Sequence, residues 1–397
     1  METHNQIFTK RFNCLFLMNM AVFLSFYSLM TTLPLYAIGA LKQSDQEAGL
    51  LATVFLLSAI IVRPFSGKML DIFGKKRLLI ISLVFYFLCS ILYIIDLPFA
   101  LLLVLRFFHG IWFSIITTAG GSLAADIVPV NRKGTGLGYY TMSNNLAVVL
   151  GPFIGILLIQ HLSFDVLFSV LSIAILIGGI LASTIKTDDL TKPEKVERSF
   201  KFTFNDLFEK KALPISVIAG LVGISYASIL SFLSIYAEEQ DLLTAASWFY
   251  VIYAAAMLIT RPLIGKLYDQ KGSQYVIMPG FLFYILGLIC IALANGSAIL
   301  FLSSAVLVGA GYGALTTSFQ SLAVQSADHV RSGYATATYF TLFDLGIALG
   351  SYVLGLFVIW VDYDSIYSIS ALLMAVTACI YFVLFKKSKR KHIQSTN

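Results

Sequence analysis

Arg63-Pro-Phe-Ser-Gly67-Lys-Met-Leu-Asp71-Ile-Phe-Gly74-Lys75-Lys76-Arg77 stands between two long apolar runs, and it recurs. The second copy, Arg261-Pro-Leu-Ile-Gly265-Lys-Leu-Tyr-Asp269-Gln-Lys-Gly272, repeats Arg, Pro, Gly, Lys, Asp and Gly at a constant offset of 198 residues, half the chain. Another pattern recurs at an offset of 199: Arg132, Gly134, Tyr140 and Gly151 are answered by Arg331, Gly333, Tyr339 and Gly350. Two patterns at nearly one spacing imply duplication of a large unit, hence a fold in two related halves.

Composition says what kind of unit was duplicated. Of 397 residues, 58% are hydrophobic and only 12% charged, and the mean hydropathy is +0.85. Soluble domains carry about 25% charged residues, so half that figure over a whole chain implies a polytopic membrane protein. Met1 to Arg11 are polar and lack the apolar core and small-residue cleavage site of a signal peptide. The run that follows, about Phe12 to Tyr36, exceeds the roughly 20 residues needed to cross a bilayer and is expected to stay as a span. Cys14, Cys89, Cys290 and Cys379 all lie in apolar runs without metal-like spacing and read as small hydrophobes.

Apolar runs fall near 12–36, 47–66, 78–95, 99–125, 136–160 and 165–185, then near 213–236, 245–264, 274–294, 298–325, 333–360 and 365–385. The reading is an all-α chain of twelve transmembrane helices in two pseudo-symmetric six-helix bundles. Residues 1–186 form the first bundle, 187–211 a hydrophilic linker and 212–397 the second. Basic residues set the orientation, because short loops rich in them stay in the cytoplasm. With the N-terminus inside, Lys10, Arg11, the Arg63–Arg77 cluster, Arg132, Lys133, the linker cations, the Arg261–Lys271 cluster, Arg331 and the tail Lys386–Lys391 all fall on one side. Only Lys42 falls outside, while Asp45, Glu47, Asp96, Asp165, Glu238, Glu239, Asp241, Asp362 and Asp364 occupy the opposite loops. Both termini are therefore expected in the cytoplasm of a plasma-membrane protein. The net charge of +6 becomes a topology signal rather than a sign of nucleic acid.

Two six-span halves, a central cytoplasmic linker and a Gly-x-x-x-Asp-x-x-Gly-Lys-Lys loop after span 2, echoed after span 8, resemble the major facilitator superfamily over essentially the whole chain. Within it the chain is similar to the twelve-span drug:proton antiporters. Their fifth-span signature Gly-x-x-x-Gly-Pro-x-x-Gly-Gly reads here Ala147-Val-Val-Leu-Gly151-Pro152-Phe-Ile-Gly155-Ile156, and their fourth-span Arg-x-x-Gln-Gly reads Arg106-Phe-Phe-His109-Gly110. The resemblance implies that Gly67, Asp71, Gly74, Lys75, Lys76, Asp126, Arg132 and Asp269 form a cytoplasmic latch that closes the halves and breaks when they rock apart. Gly67 and Gly74 permit a tight loop and close helix approach, and Asp71 at a span end can bond helix N-termini or nearby cations. Gly151, Pro152 and Gly155, like Gly346 and Gly350 in span 11, form small-residue stripes suited to packing at a sliding interface between the halves.

Asp344 is the most informative single residue. It lies about 11 residues into span 11, roughly 16 Å along the helix. A carboxylate at that depth costs about 2.5–3.5 kcal/mol on insertion scales and usually faces a cavity. At ~100° per residue it points about 200° from Gly346 and 240° from Gly350, away from a contact made by those glycines. Asn145 holds the corresponding place in span 5. Asp344 is read as the proton-coupling group, with a structural hydrogen bond or an ion pair to Arg106 as the competing role. Arg106 and His109, at i and i+3 on span 4, either serve that coupling or bind an anionic substrate group. Asn19, Tyr27, Asn145, Tyr226, Tyr253, Gln320 and Tyr339 are candidate cavity groups, Tyr250 another.

No phosphate loop, His-Glu-x-x-His, Gly-x-Ser-x-Gly elbow or paired metal-spaced Cys is present, so no enzyme, cofactor or metal site is expected. The reading is a proton-coupled secondary transporter, an exporter of small organic molecules or drugs working by alternating access. Its partners would be a small-molecule substrate, protons and the lipid bilayer, and it would act as a monomer. An exporter of an anionic metabolite such as a carboxylate siderophore, and an uncoupled facilitator, remain open.

Overall fold

The structure is a computed structural model that describes residues 6–186, 207–328, 331–357 and 360–394. Twelve long helices follow in chain order: α1 (Lys10–Gly39), α2 (Asp45–Phe73), α3 (Lys75–Leu92), α4 (Phe99–Ile127), α5 (Lys133–His161), α6 (Phe164–Ser183), α7 (Leu213–Glu239), α8 (Leu243–Lys271), α9 (Gln274–Ala292), α10 (Ala298–Ser326), α11 (Ser332–Phe357) and α12 (Tyr363–Gln394). The described residues contain no strand. Most of the linker expected at 187–211, residues 187–206, lies outside the described residues, as do the side chains of the basic tail from Lys386.

Local chemistry fixes the helix ends. Ser44 opens α2 with a capping box: its side chain accepts the Glu47 N–H at 3.3 Å, and the Glu47 carboxylate accepts the Ser44 N–H at 2.9 Å. Thr9 and Ser163 cap α1 and α6 in the simpler way. The motif that decides the fold is mostly helical, which corrects its reading as a loop. Residues 63–73 are the last turns of α2, and Gly74 alone separates α2 from α3. Its φ of 82°, which glycine adopts without strain, makes the turn in one residue. Gly272 closes α8 with a φ of 94°, so the repeated sequence builds a repeated turn.

Eleven of these helices are long and apolar enough to cross a bilayer. The exception is α3, 18 residues long with Lys75, Lys76 and Arg77 in its first turn. Helix faces confirm an apolar surrounding. On α6, Ile173, Ile177 and Ile180 form an exposed stripe, while Leu171, Ile175, Gly178 and Ala182 on the other side are buried. Such exposed apolar stripes are costly in water and suit lipid.

The chain divides into two compact units. The first takes residues up to Ala212 together with 323–341, the end of α10 and the first turns of α11; the second takes 213–322 and everything from Leu342. In the first, α1 packs on α5 and α6, and α4 on α2 and α3, around an aromatic core of Phe26, Phe55 and Phe113. In the second, α12 packs on α7 and α9, and α8 on both.

Candidate functional site

The glycine stripes act inside each unit. A Cβ on Gly151 would stand 2.8 Å from the Tyr27 Cβ and 3.1 Å from the Leu24 carbonyl, and one on Gly155 would stand 2.9 Å from Thr32. Ser28 adds a hydrogen bond to the Gly151 carbonyl. These contacts press α5 against α1. In the second unit a Cβ on Gly346 would run into the Gly220 carbonyl, and one on Gly350 would lie 2.7 Å from the Ile224 Cα, pressing α11 against α7. The expectation of a sliding interface between halves is therefore corrected: close backbone packing of this kind fixes neighbours within one unit.

Around Gly74 the first unit gathers a charged and hydroxylated cluster. Lys75 Nζ donates to Asp126 Oδ2 at 2.6 Å and to Ser332 Oγ at 2.6 Å. Ser332 also reaches Asp126 Oδ1 at 3.3 Å and Ser122 at 3.2 Å. One turn before Gly74, the Tyr334 hydroxyl bonds Asp71, whose surroundings also include Lys75, Arg331 and Lys68. Gly67 lets this happen, since any Cβ there would stand 2.9 Å from the Tyr334 Cα. Asp71, Gly74, Lys75 and Asp126 are thus brought together. Arg132 ends the short 3-10 turn that opens α5, Lys76 is half-buried, and Asp269 sits in the last turns of α8 in the other unit. Sequence reasoning missed Ser122, Ser332, Tyr334 and Glu209; Arg331 stood out only as the echo of Arg132.

Glu209, just before α7, is buried and joins the same cluster from outside the helices. Its N–H donates to Thr338 Oγ1 at 2.8 Å, its Oε1 accepts the Lys211 N–H at 3.2 Å, and its Oε2 binds Arg331 Nε. Arg331 lies 4.2 Å over the Tyr334 ring. Burial works against the Arg331 cation, yet Glu209, then Tyr334 and Asp71, outweigh it and hold the guanidinium above its ordinary value.

The interior groups fall into three sets. His109 is a satisfied core residue: Nδ1 bonds Tyr93 Oη at 3.0 Å, Nε2 reaches Ser90 Oγ at 3.5 Å, and the ring packs on Tyr86. Arg106, 1% exposed, donates through Nε to the Leu51 carbonyl at 3.1 Å and through Nη2 to the Met30 sulfur at 3.4 Å, over the Phe55 ring. Its Nη1 is buried without a hydrogen-bond partner among the described residues. Asn19 is a buried tie, donating to Ser143 at 2.8 Å and accepting from Tyr140 at 2.8 Å, so it joins α1 to α5. Tyr27 lies against Gly151, and Asn145 is buried on α5.

In the second unit Tyr226 of α7 stacks on Tyr312 of α10 at 4.1 Å and hydrogen-bonds Tyr253 of α8, with Phe343 of α11 at the edge. Gln320 is buried on α10 with its Nε2 unpartnered among the described residues. Tyr339, on the start of α11 that belongs to the first unit, is buried and meets Phe340 edge-on at 5.2 Å. Asp344, half-buried, is the thirteenth residue of the 26-residue α11.

Twelve helices with a doubled Arg-Pro-x-x-Gly-Lys-x-x-Asp-x-x-Gly stretch define a class of polytopic membrane transporter. A sequence profile of the Major Facilitator Superfamily matches residues 15–351 and 243–397, and the chain belongs to that superfamily. It is 24% identical over 367 residues to an uncharacterized MFS-type transporter of Methanocaldococcus jannaschii, across 89% of this chain and 93% of that one. It is 31% identical over 152 residues to the quinolone resistance protein NorA of Staphylococcus aureus, across 38% of each chain. The human organic anion transporter MFSD10 has the same fold, with a TM-score of 0.80, 14% identity and coverage of 94% of this chain and 98% of that one.

Proposed function

We propose that this transporter is a proton-coupled exporter of small organic molecules, working by alternating access from a plasma membrane with both termini in the cytoplasm. The observation that carries the reading is Asp344, a carboxylate at the middle of a membrane-spanning helix. A carboxylate so placed is costly unless it is paired or hydrogen-bonded, titrates or faces water, and one that takes a proton in one state and releases it in another couples transport to a gradient. One proton moving down 100 mV supplies about 2.3 kcal/mol, enough to concentrate a neutral substrate about fifty-fold. The partial likeness to a quinolone resistance protein supports export of drug-like compounds.

Purified protein in proteoliposomes under an imposed pH gradient, with ethidium as a lipophilic-cation probe and a panel of organic acids, tests this. Asp344→Asn is expected to keep substrate exchange across the membrane and to lose at least about tenfold of the gradient-driven accumulation. Full pH-dependent transport by Asp344→Asn would remove Asp344 from the coupling role. Equal transport with and without the gradient in the unmodified protein would favour an uncoupled facilitator. A second reading, an anionic cargo, rests on Arg106, whose buried cation keeps one nitrogen without a hydrogen-bond partner among the described residues. Competition by organic acids but not by ethidium would favour it.

A further inference from the structure

We propose that the segment just before α7, centred on Glu209, is a strap that holds the first turns of α11 down on α2 and α4, and that transport requires its release. This goes beyond the proposed function, because it concerns how the closed cluster is held, whatever the substrate or coupling ion. Four contacts define the strap. The Glu209 backbone bonds Thr338, its carboxylate takes the Lys211 N–H on one oxygen and Arg331 on the other, and Lys211 Nζ pairs with Asp328 at 2.9 Å. Thr338 and Arg331 flank Ser332 and Tyr334, the two α11 residues that engage Lys75, Asp126 and Asp71. Glu209 therefore grips the α11 start on both sides of the groups that close the cluster.

Burial separates the contacts by strength. The Glu209 side chain is 6% exposed and Arg331 35%, whereas Lys211 and Asp328 are 56% and 69% exposed. A charged hydrogen bond shielded from water holds far better than a solvent-bathed ion pair. Glu209 is thus the centre, and the Lys211–Asp328 pair is a minor addition. The strap is also no relic of the duplication. At offsets of 198 and 199, Glu209 corresponds to Arg11 and Lys10, so the first half carries cations where the second has this carboxylate.

Ser122 gives a direct readout, since it is fully buried beneath Ser332 and is exposed only when the α11 start lifts. In a full-length variant with Cys14, Cys89, Cys290 and Cys379 replaced by serine, Ser122→Cys is labelled with N-ethylmaleimide in proteoliposomes. Adding Glu209→Gln or Thr338→Val is expected to raise the labelling rate about three- to tenfold, because labelling follows the population of the open form. Lys211→Gln should change it less than about twofold. A second reporter, Ser172→Cys in the core of α6, controls for general loosening. Labelling at Ser122→Cys that is unchanged by both Glu209→Gln and Thr338→Val, including none in either, overturns the proposal. So does an equal rise at Ser172→Cys, or a tenfold rise with Lys211→Gln. Because no step needs a substrate, failure here leaves the export reading untouched, and failure of that reading leaves the strap standing.

Discussion

Lys75 and Asp126 make the strongest quantitative test of the cluster. Their ion pair is 2.6 Å long, with side chains 19% and 4% exposed, and both also contact Ser332. Removing one member of a buried pair typically costs 3–5 kcal/mol, because the other charge is left unpaired. The exposed fifth of Lys75 admits water and lowers the expectation for Asp126→Leu to about 2–3 kcal/mol. Lys75→Met should cost about 3 kcal/mol, because it removes the short charged contact of the more deeply buried carboxylate. The double variant removes both members of the pair together and should cost only about 2–3 kcal/mol, a coupling of at least about 2 kcal/mol. Equilibrium unfolding in mixed micelles, followed by tryptophan fluorescence, measures all four corners of the cycle. Additivity within about 0.5 kcal/mol would mean that the two residues do not act as a pair, and the cluster would lose its central contact.

Gly346→Val is expected to cost about 3 kcal/mol or more and to abolish folded expression, because its side chain would occupy the space of the Gly220 carbonyl. Gly179→Ala on α6, with nothing within 4 Å of the added carbon, should be neutral or stabilising by up to about 1 kcal/mol; equal behaviour of the two on size-exclusion chromatography would refute the packing argument. His109→Leu removes one hydrogen bond of the Tyr93 hydroxyl, which keeps its contact with Arg106, and should cost about 0.5–1.5 kcal/mol while leaving the pH profile of transport unmoved. A displaced profile would return His109 to the proton path.

The fold was legible because the bilayer imposes a length and a polarity on every helix. All twelve apolar runs became helices, and the offset of 198 marked a turn that recurs at Gly74 and Gly272. What the sequence hid was tertiary. Gly67 reads as a loop glycine, yet it lies in α2 and serves the approach of Tyr334, more than 250 residues away. Gly151 and Gly346 announce close packing but not the partner helix, since a small residue carries no address. His109 reads as a titrating group, and the sequence gives no hint that Tyr93 and Ser90 stand beside its two ring nitrogens. Glu209 gave no signal at all, because a single acid in a polar stretch resembles any solvated residue.

The two halves share a backbone plan but only part of a charge plan. Lys75 and Asp126 correspond, at the two offsets, to Ser273 and to Val324 or Gln325; Arg106 and His109 correspond to Ser304 or Ala305 and to Leu307 or Val308. In the other sense, Asp344 corresponds to Asn145 and Glu209 to Arg11 or Lys10. Pro64 and Pro262, the turn glycines Gly74 and Gly272, and Gly151 and Gly350 are kept, as bundles that pack in the same way require. The charges of Lys75, Asp126, Arg106 and Asp344 stand in one copy only, whereas Arg63, Lys68, Asp71 and Arg132 recur as Arg261, Lys266, Asp269 and Arg331. On the proposed coupling, protonation at Asp344 biases the two states only if it acts more strongly on one than on the other. Exchanging the pair, as Asn145→Asp with Asp344→Asn, keeps the number of mid-span acids while moving the charge to the other half. Coupling should be lost in that variant even though its composition is unchanged. Retained coupling in the same proteoliposome assay would mean that depth alone, rather than the half that carries the acid, sets the response.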